Sequence, residues 1–242
     1  MIGTLVSVSL RGLLNRRRTL LLALFGAMII LVAGLSRFSD PSEADAIAFT
    51  GELLANFGLA VLLPLVAVIV GTAAIGSELD DGTIVYLLAK PIPRILIIAV
   101  KALVAWLVVV VLVCPAILVA GVLGTGGNAD LGVAYAIAAA FGALEYTAVF
   151  LALSLVTSRA LVIGLAYVVV WEGAVAGIFA GTRIVSVRQH ALTIADTLGG
   201  EGAVTADLLI GPAVVVGLAV TVIALVIAVR RLERVELRGE TG

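Results

Sequence analysis

Apolar residues gather along this chain in six long blocks, at about 19–36, 53–76, 95–121, 134–156, 160–180 and 211–229, each near the ~20 residues a helix needs to cross a bilayer. The pattern predicts an all-α integral membrane protein with six transmembrane helices in one domain, 1–242. Residues 1–18 are patterned differently. Ile2, Leu5, Val6, Leu10 and Leu13 share one helical side, with Thr4, Ser7, Arg11, Asn15 and Arg18 opposite, which predicts an amphipathic helix in the membrane interface. Residues 37–52 and 122–133 read as short links, whereas 182–210 is long enough to hold structure. There Val187, Ala191, Ile194, Ala195 and Leu198 lie opposite Arg188, Thr193 and Asp196, so a short helix is expected on the outer surface between spans five and six, ended by Gly199-Gly200.

Composition agrees with the pattern and narrows the partners. With 62% hydrophobic and 13% charged residues the chain is far from soluble composition, and a formal charge of -1 with no basic face or tail leaves nothing for nucleic acid to bind. One cysteine, Cys114, excludes an internal disulfide, and one histidine, His190, argues against a His-based metal centre; no metal site is expected. Eleven of the 15 Lys and Arg fall on the N-terminal side of the predicted spans or in its loops, with Arg37, Arg183 and Arg188 on the other side. The positive-inside rule therefore puts both termini in the cytoplasm of a multi-pass cell-membrane protein. Lys101, two turns into the third span, is expected to snorkel back to that surface.

The longest polar interruption on the basic side is 77–94, SELDDGTIVYLLAKPIPR. Thr83 is placed to cap a short helix whose Ile84, Leu87 and Leu88 share a face, and Pro91 forces Lys90 out of the helical region. Glu78, Gly82, Thr83, the Leu87-Leu88 pair, Pro91, Arg94 and Lys101 resemble, position by position, the loop between the second and third spans of type-2 ABC exporter permeases; Asp80 fits more loosely. With six spans, an N-terminal interface helix and a helix between spans five and six, the resemblance covers essentially the whole chain. It implies a half-size permease subunit of an ATP-driven exporter of a prokaryotic plasma membrane, one that forms the substrate path with a second permease protomer. It also implies a coupling helix in 77–94 that docks on two copies of a separate ABC ATPase. The chain has no G-x-x-x-x-G-K-[ST] loop, so ATP and Mg would be bound by that partner and the chain is not expected to be an enzyme. The alternative is a six-span scaffold, assembly factor or channel without an ATPase. An intramembrane phosphotransferase is disfavoured, because Asp80-Asp81-Gly82 lacks the further acids such a metal site needs.

Two acids lie deep in spans, Glu145 in the fourth and Glu172 in the fifth. Their cost there points either to a transport path, as a cation or proton site, or to carboxyls bonded to a neighbouring helix. His190 and Ser186 offer a base and a nucleophile, yet with no orienting acid evident His190 reads as a solvated side chain. Gly173, Gly177 and Gly181 recur every four residues and mark a close helix contact, and the resemblance implies that the fifth span lies at the dimer interface.

Overall fold

The computed structural model describes residues 16–83, 92–200 and 204–239. The predicted interface helix falls almost entirely outside these residues, as do Ile84, Leu87, Leu88 and Pro91. Nine α-helices are described: α1 Arg16–Ser36, α2 Glu43–Leu53, α3 Leu63–Asp80, α4 Arg94–Gly124, α5 Asp130–Val156, α6 Ala160–Ala166, α7 Ala176–Ile178, α8 Val187–Gly199 and α9 Ile210–Gly239. No strand occurs among the described residues. Six helical stretches are long and apolar enough to cross a membrane: 19–39, 43–79, 94–124, 130–156, 160–178 and 210–234.

The second span begins ten residues earlier than its hydropathy indicates, at Glu43 rather than 53, so most of the expected 37–52 link is helix. Ser42 starts it, its hydroxyl accepting from the Asp45 amide at 3.2 Å while Glu43 and Asp45 face the positive end of the helix dipole. The span stays continuous through a π-helical stretch, Leu54–Leu62, immediately before Pro64. Proline has no N–H for the preceding turn and its ring crowds that turn's carbonyl. A widened turn just upstream accommodates both defects without breaking the helix.

α5 is the hub, packed on α3, α4, α8 and α9. Its small residues set the spacing. A Cβ on Gly142 would come within 3.3 Å of Ala191 and 2.9 Å of Leu63, so the absence of a side chain lets α8 and the second span approach together. The first and fifth spans are the least buried, with Leu20, Leu24 and Leu31 and with Val162, Val169 and Val170 exposed.

α8 does not lie on the surface. Val187 and every residue from Gln189 to Ala195 are buried, including Thr193 from the face expected to be wet. Leu198, expected on the buried face, is exposed. The helix starts beside Glu145, 15 residues and about 22 Å along α5 from Asp130 at ~1.5 Å per residue, and its later part lies toward Tyr135. It is a re-entrant helix that begins deep in the bundle. Amphipathic periodicity misplaces it because a polar face can meet buried partners as well as water.

Candidate functional site

Two groups of functional side chains stand apart in the bundle. The first is the neck of the 77–94 loop. α3 ends at Asp80, and Gly82 follows with a φ of 67°, a left-handed conformation that glycine adopts without steric cost. Thr83 directs its hydroxyl back to the Glu78 carbonyl at 3.5 Å, and Arg94 opens α4 with its guanidinium 3.5 Å from the Ile92 carbonyl. Lys101 does not snorkel. Its side chain is buried, with Nζ donating to Glu78 Oε1 at 2.6 Å and to the Ala74 carbonyl at 2.9 Å. The ammonium thus meets both a carboxylate and the last turns of α3, where the helix dipole is negative. The two chain ends of the loop are fastened by one charge. On the opposite side of those turns, Thr72, Ala73, Gly76 and Ser77 line a cavity of about 370 Å³ that reaches Leu21, Ser154 and Leu161.

The second group surrounds the start of α8. A helix N-terminus leaves unpaired N–H groups, which cannot be tolerated inside a bilayer. Glu172 supplies the acceptors: Oε1 takes the Val187 amide at 2.9 Å and the Tyr167 hydroxyl at 3.1 Å, and Oε2 takes the Ser186 hydroxyl at 2.5 Å and the Arg188 amide at 3.4 Å. Ser186 Oγ in turn accepts from the Gln189 amide at 3.2 Å. The depth of Glu172 follows from this capping. Tyr167 and Glu172 lie in a π-helical stretch, Tyr167–Val175, and are five residues apart.

His190 is completely buried rather than solvated, and an orienting acid is present. Nδ1 lies 2.9 Å from Glu145 Oε2 and Nε2 lies 2.9 Å from the Ile184 carbonyl. With Nε2 committed to a carbonyl and Ser186 bonded to Glu172, neither group activates the other as in a hydrolytic triad. Gly217 of α9 makes room for the acid, since a Cβ there would stand 2.6 Å from Glu145 Oε1. Among the described residues Oε1 has no hydrogen-bond partner, and no metal-binding group of acids, histidine and cysteine occurs. Sequence reasoning found both acids and missed their partners. The available signal was that two acids at span depth require donors, and Ser186, His190 and the α8 amides are a local supply.

The three glycines are placed differently from a single α-helical stripe: Gly173 is in the π-helical stretch, Gly177 in α7 and Gly181 in the 3-10 turn Ala180–Val185. A Cβ would meet nothing within 4 Å at Gly177 or Gly181, and only the Val168 carbonyl at 3.7 Å at Gly173. Among the described residues no other element packs against the Cα side of these glycines, although the Arg183 guanidinium reaches the Ala176 and Gly177 carbonyls.

The family model described as ABC-2 family transporter protein matches residues 14–188, from before the first span to the beginning of α8. No curated protein matches the chain.

Proposed function

Because the chain belongs to the ABC-2 family of transporter proteins, we propose that it is the half-size permease subunit of an ATP-driven exporter, working with a second permease protomer and two copies of a separate ATPase. The observation that carries this reading is the neck, where Lys101 joins Glu78 and the Ala74 carbonyl across the ends of the 77–94 loop. A loop on so short a base moves with the second and third spans. When ATP and Mg bind on the ATPase and it closes, displacement of the loop by the Ile84, Leu87 and Leu88 face becomes a displacement of those spans. Gly82, Thr83, Pro91 and Arg94 shape the loop's entry and exit.

The exposed first and fifth spans, with the open surface at Gly173, Gly177 and Gly181, support a protomer contact there. Glu145 and Glu172 act on the path between protomers through the helix they hold. The arginines at the inner ends of the spans support a cell-membrane protein with both termini in the cytoplasm. The test is co-purification. Replacing Leu87 and Leu88 with Asp should leave the permease inserted but abolish recovery of the ATPase in detergent; undiminished recovery refutes the docking role.

A further inference from the structure

Nothing in the coupling scheme uses His190, the sole histidine. Its surroundings restrict its proton content. The Ile184 carbonyl at 2.9 Å can only accept, so Nε2 carries hydrogen. Nδ1 and Glu145 Oε2, 2.9 Å apart, then require one further proton between them, on the ring as an ion pair or on the carboxyl as a neutral pair. Both forms have the same total charge and the same hydrogen bond. Without that proton, two lone pairs face each other and an unpaired carboxylate remains.

The neighbours make that state costly. Glu172 already takes the Val187 and Arg188 amides and the Tyr167 and Ser186 hydroxyls, so a bare Glu145 carboxylate would find these donors committed and would stand uncompensated in a dry site. The other titratable groups in this field are Tyr146 of the fourth span and Tyr167 of the fifth, both able to lose charge neutrality only by becoming anionic. Arg188, on α8 itself, bonds Asn56 of the second span's π-helical stretch at 3.1 Å. The 3-10 turn brings Arg183, paired with Asp207, and α9 brings Gly217 against the acid. None of these replaces the missing proton.

We propose that Glu145 and His190 form a one-proton latch: the shared proton seats α8 against the fourth span, and its removal releases the helix from that seat. The step is a proton transfer from the pair to water, with no other bond made or broken. This inference does not depend on an ATPase partner, because the latch lies within one protomer.

The full chain in nanodiscs, carrying no histidine tag, gives a single imidazole signal with ¹⁵N-histidine. As pH rises to 10, Nε2 should remain protonated while Nδ1 changes from hydrogen-bonded to bare. In a Cys114→Ala background, Thr193→Cys reports seating, since this position is buried and its hydroxyl bonds only its own helix, at the Gln189 carbonyl. Its labelling by an impermeant thiol reagent should rise about tenfold with loss of the Nδ1 hydrogen bond. Glu145→Gln supplies an amide donor to Nδ1 that water cannot remove, so the same cysteine should stay protected at every pH; this variant also corrects for thiolate formation. The proposal is overturned by an unprotonated Nε2, by native labelling that is flat to pH 10, or by an equal rise in Glu145→Gln. If the variant does not insert, the native ¹⁵N titration and labelling decide the matter together.

Discussion

The Lys101–Glu78 and His190–Glu145 pairs both place opposite potential charges at short range, yet they are different devices. Lys101 is buried, but the Glu78 side chain keeps 24% of its exposure, and the Ala74 carbonyl gives the ammonium a second acceptor. The neck can therefore lose one contact and retain another, and although Glu78 Oε2 has no partner among the described residues, its side chain as a whole reaches the surface. At His190–Glu145, where one oxygen of the acid likewise has no partner among the described residues, both side chains are wholly enclosed. Failure there leaves an enclosed carboxylate without a partner until α8 leaves its seat and admits water. The comparison teaches that a contact's tolerance is set less by its length than by what remains when half of it is removed.

The largest effect should come from His190→Leu, which strands Glu145 in a dry site at a cost of about 3–5 kcal/mol. The thermal midpoint of the detergent-purified chain should fall sharply. Adding Glu145→Leu should restore most of it, because an apolar pair leaves no buried charge. If the double change is as unstable as the single one, stranded charge is not the cause.

Glycine replacements compare the same two regions through packing. Gly217→Ala puts a methyl 2.6 Å from Glu145 Oε1 and 2.8 Å from the Phe141 ring, whereas Gly76→Ala meets only Ser154 Cβ at 3.5 Å, an ordinary contact. Overpacking of the first kind costs about 1–3 kcal/mol. The second change should be neutral or slightly stabilising, as alanine favours the helix by up to ~1 kcal/mol over glycine. Equal melting midpoints for the two variants would erase the contrast.

The sequence disclosed these regions unequally for physical reasons. Six spans were legible because a bilayer imposes a long apolar run on each. The neck was legible in its residues, through the resemblance carried by Glu78 and Lys101, though not in the bond between them. The early start of the second span was obscured by Glu43, Asp45 and Glu52, which lower local hydropathy; Ser42 ahead of Asp45 was the cap signal that marked it. The latch was hidden because its partners lie 45 residues apart and α8 has the periodicity of a surface helix. His190, Ser186 and the first amides of α8 turn toward Glu145 and Glu172 instead of water, a choice made by tertiary packing.

Glu78→Gln should cost the least stability of the changes to either ion pair. The amide oxygen can still accept from Lys101, the Ala74 carbonyl retains its share of the ammonium, and the partial exposure of residue 78 reduces the value of the lost charge to about 1 kcal/mol or less. The expected consequence is mechanical. A looser neck lets the loop move without carrying the spans, so the ATPase should still co-purify and hydrolyse ATP while cargo export per ATP declines. Exchanging the charges, Glu78→Lys with Lys101→Glu, tests whether attraction alone suffices. The swapped carboxylate would face the Ala74 carbonyl and lose the second acceptor contact, so recovery should be incomplete. Full recovery would show that the ion pair alone fastens the neck, and unchanged export per ATP in Glu78→Gln would remove the neck from the coupling path.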